Sequence, residues 1–236
     1  MSSARSEPAR SPICVALDFA TADEVRSAAR AVVDSVGVYK VGLTAIYGAG
    51  TELVDELGAT RPVFVDAKLH DIPAQVAGAT AAIGGLGARY VTVHAAGGFD
   101  MVKAAVGAAG DSMKVLAVTV LTSLDDAELE QVGMSGPATS AVLRLAERAL
   151  DAGAHGLVCS PLEVAAMRAR FGDASELVVP GIRPRGSGFD DQRRTLGPRA
   201  SMDAGADLLV VGRPITAASD PGRAARAILE EATAGA

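Results

Sequence analysis

The sequence predicts an α/β protein built as a single-domain (β/α)8 TIM barrel, and three observations lead to that fold class. Eight short apolar runs alternate with helix-like segments, and no linker in the 236 residues is long enough to divide domains. Barrels of this kind commonly reach this length as one domain. Hydrophobic residues make up 49% of the chain but aromatic residues only 3%, so an aliphatic parallel sheet covered by helices is expected.

Each predicted strand is an apolar or β-branched run bounded by turn or charged residues. The expected strands are 13–17, 38–43, 63–68, 90–94, 113–120, 156–159, 176–179 and 208–211. Thr21 and Glu24 have the spacing of a capping box, Gly58 stops the second helix, and Pro73 falls in a first helical turn, where its missing N–H loses no hydrogen bond. The expected helices are 22–36, 49–57, 73–86, 101–109, 138–152, 162–170, 195–204, 212–215 and 224–232.

An open, doubly wound sheet is the alternative arrangement of the same elements. Against it, the first strand–helix turn, Asp18-Phe19-Ala20, lacks the glycine-rich fingerprint of dinucleotide-binding folds. Right-handed connections between parallel strands make a closed barrel the natural result. Residues 1–11 are rich in Ser, Ala and Arg and are expected to form a disordered tail, which leaves 12–236 for the barrel.

Composition argues against several classes of partner. The net charge of −6 disfavours nucleic acid and anionic membranes. Cys14 and Cys159 lie in apolar runs and are expected to be core residues, and His70, His94 and His155 lack metal-ligand spacing. No apolar run approaches the roughly 20 residues of a membrane span, and no signal-peptide pattern precedes the first strand, so a cytoplasmic location is expected.

The third strand carries an unusual group of charges, because Asp66, Lys68 and Asp71 follow directly on the apolar run Val63-Phe64-Val65. Side chains alternate along a strand, so Asp66 and Lys68 are expected to face the same way, with Cα atoms roughly 6.6 Å apart. Charges on a buried strand are unfavourable unless they are paired or used. A structural ion pair is the alternative for these residues taken alone.

Other polar residues stand near strand ends, and the active site of such barrels lies at the carboxyl ends. Asp18 ends the first strand, Lys40 lies in the second, and Thr122 follows the fifth. Lys40 could instead extend to the rim and Asp18 could cap a turn. His94 is interpreted as a packing residue, and the acidic segment 125–130 as an exposed loop that could belong to a lid.

The loops after the seventh and eighth strands indicate a phosphate site, which is where this fold usually has one. Glycines there let the backbone approach a ligand, and Arg213 at a helix start adds positive charge. The residues concerned are Gly181, Arg183, Arg185, Gly186, Gly188, Gly212 and Arg213. A small phosphorylated substrate is therefore expected.

These segments resemble the orotidine 5′-phosphate decarboxylase family in its bacterial form. The D-x-K-x-x-D element alone is shared by a wider group of phosphate-binding barrels, but its combination with the other segments is specific. The matching segments, in order, are Ala16-Leu17-Asp18, Tyr39-Lys40-Val41-Gly42, Asp66-Ala67-Lys68-Leu69-His70-Asp71-Ile72-Pro73, Val93-His94-Ala95, Leu121-Thr122-Ser123, Pro180-Gly181-Ile182-Arg183-Pro184, Asp191-Gln192-x-Arg194 and Val211-Gly212-Arg213-Pro214-Ile215.

The resemblance implies conversion of orotidine 5′-phosphate to UMP and carbon dioxide in pyrimidine biosynthesis, with no cofactor and no metal. Lys68 would protonate C6 of the pyrimidine, and Asp66 would lie beside the substrate carboxylate. Lys40 and Asp71 would complete an alternating charge array, with Asp71 reaching in from the partner subunit of a homodimer.

The resemblance also implies binding roles. Asp18 and Lys40 would hold the ribose hydroxyls, Thr122 would help to bind the pyrimidine, and Gln192 would bridge base and phosphate. The substrate-binding set is completed by Asp66, Ile72, Gln75, Pro180, Arg183, Gly212 and Arg213, of which Arg213 and the Gly212 N–H would bind the phosphate. The family usually has Asn-Thr where this chain has Ala74-Gln75, so an altered ribose contact is expected at Gln75.

Two alternatives stay open at this point. Related barrels that act on sugar phosphates, such as 3-keto-gulonate phosphate decarboxylase and hexulose phosphate synthase, share the D-x-K-x-x-D strand but use a divalent metal with an extra acidic ligand. Leu43-Thr44 stands where that acid would be expected. A non-catalytic barrel that senses nucleotides is the second alternative, although a sensor has no use for the charge array.

Overall fold

Eight parallel strands close into a barrel within residues 11–173, 175–184 and 195–234, the residues that the structure, a computed structural model, describes. The strands β1 to β8 are Ile13–Ala16, Val38–Val41, Val63–Leu69, Tyr90–His94, Lys114–Val118, Gly156–Val158, Glu176–Val179 and Leu208–Val211. Closure occurs at β1, where Cys14 lies opposite Val38 of β2 on one side and Val210 of β8 on the other. The predicted barrel is confirmed, and the open sheet is wrong.

Helices follow the strands around the outside of the barrel. Helices α1 to α11 are Ala22–Val32, Leu43–Ala49, Leu53–Gly58, Pro73–Gly85, Phe99–Ala109, Asp126–Gln131, Ala138–Asp151, Val164–Phe171, Pro198–Asp203, Arg213–Thr216 and Pro221–Thr233. Thr21 is the N-cap of α1, as predicted, and its Oγ1 accepts a hydrogen bond from the Glu24 N–H. The second half of the predicted capping box differs, because the Glu24 carboxylate accepts from the Thr21 hydroxyl.

Two expectations about local structure are wrong. The helix expected over 49–57 begins only at Leu53, as α3, and an additional helix, α2, precedes it and ends at Ala49, where Gly50 adopts a φ of 97°. The acidic segment expected as a loop contains helix α6. Asp125 caps it with a capping box, in which its side chain accepts from the Glu128 N–H and the Glu128 carboxylate accepts from the Asp125 N–H.

Alternation along the strands divides the core into two parts. Outward residues such as Val15 and Tyr39 pack against the helices, whereas inward residues fill the barrel. The inward set is Cys14, Ala16, Val38, Phe64, Leu116, Val178, Leu208 and Val210. Lys40 and Asp66 come two residues after Val38 and Phe64, so both face the barrel interior near its carboxyl end.

A polar group that we call the floor cluster lies at the opposite, amino-terminal ends of the strands and consists of Tyr90, Lys114 and Glu176. The Tyr90 hydroxyl donates to Glu176 Oε1 at 3.1 Å, and the Lys114 ammonium lies 2.6 Å from Glu176 Oε2. Burial raises the pKa of Tyr90, and the Glu176 carboxylate raises it further. The Tyr90 ring also packs edge-on against Phe64, with ring centroids 6.0 Å apart.

Other expectations have mixed outcomes. Cys14 and Cys159 are buried thiols, as expected of core residues. The tail predicted over 1–11 lies outside the described residues except for Ser11, whose hydroxyl donates to the Ser35 carbonyl at 2.8 Å. Within the described ranges, no helix is long and apolar enough to cross a membrane.

Candidate active site

A cavity of about 460 Å³ opens at the carboxyl-terminal end of the barrel. Its deeper wall is apolar and includes Phe64, Val118 and Val210. The predicted site residues that line it are Asp18, Lys40, Asp66, Lys68, Thr122, Pro180, Arg183, Gly212 and Arg213. The charged strand and the last glycine–arginine turn, far apart in sequence, therefore border the same cavity.

Four charged side chains form an alternating array in this cavity. The Lys40 ammonium lies 3.0 Å from Asp18 Oδ1 and 3.3 Å from Asp66 Oδ2. The Lys68 ammonium lies 2.8 Å from the same Asp66 oxygen. Since the Lys40 side chain is 9% exposed and directed inward, its alternative interpretation as a rim residue is wrong.

Burial and charge act in opposite directions on the two innermost members of the array. Burial lowers the pKa of Lys40, but the carboxylates of Asp66 and Asp18 outweigh burial and raise this pKa above the usual lysine value. Burial likewise raises the pKa of Asp66, but the ammonium groups of Lys40 and Lys68 outweigh it and lower this pKa. Both residues are therefore charged near neutral pH, and each stabilises the charge of the other.

Lys68 has a strained backbone. Its φ of 48° makes it the one non-glycine residue in the described part of the chain with a positive φ. The pairing of β3 with β4 shifts register between Val65 and Leu69, so the regular alternation expected across this stretch is wrong. The expected contact of Asp66 with Lys68 is nevertheless present. Such strain is characteristic of functional sites, where the surrounding structure must hold it.

Thr92 is a polar site residue that the sequence did not single out. It lies on β4 and is fully buried. Its Oγ1 accepts a hydrogen bond from the Lys68 N–H at 2.9 Å and donates one to Asp66 Oδ1 at 2.9 Å. A threonine in an apolar strand is typical of any sheet, so the only available signal was its position two residues before His94.

The opposite side of the cavity is formed by the loops after β7 and β8. Gly181 has a φ of 82°, in the region that favours glycine, and the Arg183 N–H donates to the Leu196 carbonyl at 2.9 Å. Gly212 is the N-cap of α10 and Arg213 its first residue, so backbone N–H groups and a guanidinium border the same space. The predicted residues Arg185, Gly186, Gly188, Asp191, Gln192 and Arg194 lie outside the described residues.

Three predicted site residues do not line the cavity of this chain, namely Asp71, Ile72 and Gln75. All three are exposed, and Ile72 is exposed to 64%. The Asp71 carboxylate accepts a hydrogen bond from the Ile72 N–H at 2.6 Å. Asp71 and Ile72 lie between β3 and α4, and Gln75 lies in the first turn of α4.

His94 is half-buried, and its ring centroid lies 5.4 Å from that of His70. Burial lowers the pKa of His94, and the charges of His70 and Lys68 lower it further, so its imidazole is neutral near pH 7. The ring does not line the cavity. Among the described residues, no group of three or more His, Cys, Asp or Glu side chains is arranged to hold a metal ion.

The fold and the site together define a (β/α)8 barrel with a charged cavity at the carboxyl ends of its strands, where enzymes of this architecture have their active sites. The sequence pattern of the orotidine 5′-phosphate decarboxylase / HUMPS family matches residues 11–228. The chain belongs to that family, and the resemblance found in its motifs is confirmed.

Similar proteins agree along nearly the whole chain. The orotidine 5′-phosphate decarboxylase of Anaeromyxobacter sp. (strain K) is 54% identical over 217 residues, which are 92% of this chain and 96% of that protein. The protein of the same name from Thermobifida fusca (strain YX) is 51% identical over 222 residues, or 93% and 95% of the two chains. A crystal structure of orotidine 5′-phosphate decarboxylase from Lactobacillus acidophilus superposes with a TM-score of 0.84 at 36% identity. The superposition covers 94% of this chain and 99% of that chain.

Proposed function

We propose that this protein converts orotidine 5′-phosphate to UMP and carbon dioxide, with Lys68 as the proton donor to C6 and without a metal or organic cofactor. One observation carries the proposal. The Asp18–Lys40–Asp66–Lys68 array opens into the same cavity as Gly212 and Arg213. The names of the relatives agree with this substrate. A role in cytoplasmic pyrimidine biosynthesis is part of the proposal.

The proposed chemistry needs a cation at one carbon atom. When the bond between C6 and the carboxylate breaks, its electron pair stays on C6, and carbon dioxide leaves. The Lys68 ammonium stabilises this charge and then transfers a proton to C6, which leaves a neutral amine on Lys68. The short contact of Lys68 with Asp66 supports the proposal because it holds the ammonium in one position before substrate arrives.

Repulsion between Asp66 and the substrate carboxylate is a smaller contribution. Two like charges about 4 Å apart interact with about 4 kcal/mol at an effective dielectric constant of 20. Enzymes generally lower barriers by ~8–23 kcal/mol. Stabilisation of the developing charge by a preorganised Lys68, together with binding energy from the distant phosphate, must therefore supply most of the rate enhancement.

The phosphate end accordingly contributes to catalysis although it is remote from C6. Arg213 would pair with the phosphate, and the Gly212 N–H would donate to it. Thr122 lines the same cavity and would contact the pyrimidine, while Asp18 and Lys40 would bind the ribose hydroxyls. Pro180 and Arg183 line the phosphate side. Gln192, which follows β7 in the sequence, would bridge base and phosphate.

We further propose a homodimer in which Asp71 enters the cavity of the partner chain, with Ile72 and Gln75 contacting the substrate there. Three features support this. Asp71 is exposed and does not line the cavity of its own chain, and Ile72 is a large exposed apolar residue beside it. Helix α4 also contains no charged residue, and depletion of charged residues is typical of the centre of an interface.

A single assay tests the proposed function. Purified protein is mixed with orotidine 5′-phosphate, and the loss of substrate absorbance is followed with and without EDTA. Turnover that EDTA leaves unchanged is the expected result. Absence of turnover would refute the proposal. Turnover of a sugar phosphate with a strict magnesium requirement would favour the metal-dependent barrels. In that case another residue would have to supply the acidic metal ligand, because this chain has Leu43-Thr44 at the expected position.

A further inference from the structure

The Thr92 hydroxyl connects the two ends of Lys68. It accepts a hydrogen bond from the Lys68 N–H and donates one to Asp66 Oδ1, each at 2.9 Å. The other Asp66 oxygen, Oδ2, lies 2.8 Å from the Lys68 ammonium. The Lys68 N–H, the Thr92 hydroxyl, the Asp66 carboxylate and the Lys68 ammonium are therefore joined in a closed ring of hydrogen bonds that begins and ends at Lys68.

The donor and acceptor roles within this ring are determined by chemistry. The Lys68 N–H can only donate, so the Thr92 oxygen must accept from it, and the hydroxyl proton is then directed to Asp66. Asp66 Oδ1 is occupied by Thr92, and Oδ2 is shared by Lys40 and Lys68. The carboxylate is thus held at both oxygens and cannot rotate without breaking a hydrogen bond.

The same hydroxyl contacts the strained part of the backbone. Lys68 has a φ of 48°, and a residue in this region stays there only where its surroundings hold it. The Lys68 N–H lies at the register shift between β3 and β4, and its acceptor is a side chain of β4. Removing that acceptor would leave a partly buried N–H unsatisfied at the point of greatest strain.

We propose that Thr92 is a positioning residue for proton transfer, because its hydroxyl holds both the Asp66 carboxylate and the left-handed backbone of Lys68. This inference rests on the proposed decarboxylase function. Thr92 does not line the cavity, so its effect would act through Lys68 and Asp66 and not through contact with substrate. It should therefore affect the chemical step more than the binding of nucleotide.

Three variants test the proposal. Thr92→Val keeps the shape of the side chain and removes the hydroxyl, whereas Thr92→Ser keeps the hydroxyl. Thr119→Val is the matched control, since Thr119 is also buried but its hydroxyl donates to the Val158 carbonyl and not to a member of the charge array. For each variant, kcat and KM are measured with orotidine 5′-phosphate, and the Kd of UMP is measured by calorimetry.

Thr92→Val is expected to lower kcat by roughly 10- to 100-fold, as for loss of hydrogen bonds to a charged group. The Kd of UMP should stay within about threefold of wild type, and Thr92→Ser and Thr119→Val should keep kcat within the same factor. A crystal structure of Thr92→Val should show a changed Lys68 φ or a rotated Asp66 carboxylate. That readout does not depend on turnover, so failure of this inference and failure of the proposed function can be distinguished.

The proposal is overturned if Thr92→Val keeps kcat within about threefold of wild type. It is also overturned if Thr119→Val lowers kcat as much, or if the Lys68 and Asp66 geometry is unchanged in the Thr92→Val crystal structure. Should Thr92→Val not fold, Thr92→Cys replaces it, because a thiol of similar size is only a weak donor and acceptor. The same criteria then apply to Thr92→Cys.

Discussion

The Lys68 ammonium lies 2.8 Å from Asp66 Oδ2, although the backbone that joins these residues departs from regular strand geometry. In a regular strand, residues two apart already face the same way. Here the contact is made with Lys68 in the left-handed region, which is unfavourable by about 1–2 kcal/mol for a residue with a Cβ atom. The position of the ammonium is therefore maintained against local conformational preference.

Replacing Lys68 by glycine or alanine should reveal this strain. Both variants remove the ammonium, but only glycine adopts a φ of 48° without a steric penalty. We expect Lys68→Gly to be more stable than Lys68→Ala by about 1 kcal/mol, since the strain relieved exceeds the extra entropy that glycine loses on folding. Urea denaturation measures the difference. An alanine variant that is as stable as the glycine variant would show that the strain is negligible.

Loss of the Lys68 ammonium should abolish chemistry while preserving binding. Lys68→Ala is expected to release no measurable carbon dioxide from orotidine 5′-phosphate, because it removes the proposed proton donor, while UMP still binds. Lys103→Ala is the control, since Lys103 is an exposed lysine on α5. If Lys68→Ala keeps more than a small fraction of wild-type turnover, another group donates the proton.

Arg213 should discriminate ligands by their phosphate. Arg213→Ala is expected to raise the Kd of UMP by roughly 10- to 100-fold, the usual effect of losing charge-assisted hydrogen bonds, and to leave the Kd of uridine unchanged. Calorimetric titration of both ligands measures this, with Arg226→Ala on the exposed side of α11 as the control. Equal losses for UMP and uridine would mean that Arg213 does not contact the phosphate.

Mixed dimers should report whether Asp71 acts in the partner's cavity. Lys68→Ala and Asp71→Ala are each expected to be almost inactive as pure proteins. After the two are unfolded together and refolded, about half of the dimers are mixed, and one of their two cavities has both residues, so about a quarter of wild-type activity should return. A mixture that stays as inactive as its components would place Asp71 outside the shared site.

The lowered pKa of Asp66 predicts how stability depends on pH. Burial raises this pKa, but Lys40, Lys68 and the Thr92 hydroxyl together lower it. A carboxyl group with a lower pKa in the folded state contributes stability that is present above the unfolded value of about 3.9 and is lost as pH falls through the folded pKa. The stability of wild type relative to Asp66→Asn should therefore decrease between about pH 5 and pH 3, as measured by urea denaturation. A difference that does not change with pH would contradict the shift.

Strand positions were predictable because their signal is local. The bounds of Tyr90–His94, Glu176–Val179 and Leu208–Val211 match the prediction, since each is an apolar, β-branched run bounded by other residue types. The break at Gly50 was not predicted, because apolar residues continue on both sides of it. Helix α6 is not predicted by composition, because its acidic residues are typical of an exposed loop, and only the capping signal of Asp125 indicates a helix.

The site was predictable only where charged residues follow strands. Thr92 is not predicted because its role depends on Asp66, 26 residues earlier, and on the left-handed backbone of Lys68, which no residue type in the sequence indicates. The floor cluster is also non-local, since Tyr90 and Glu176 are 86 residues apart. Periodicity indicated the correct facing of Asp66 and Lys68 but not the left-handed backbone that produces it.

The floor cluster and the charged mouth are close to each other along β4. Tyr90 begins this strand, and Thr92, one residue further along the same face, already contacts Asp66. A change in packing at the floor cluster is therefore separated from the charged cavity by only one inward-facing position of β4. Substitutions intended to raise thermal stability are best confined to the residues that pack between strands and helices. Substitutions inside the barrel, beneath the cavity, would shift Thr92 and through it Asp66.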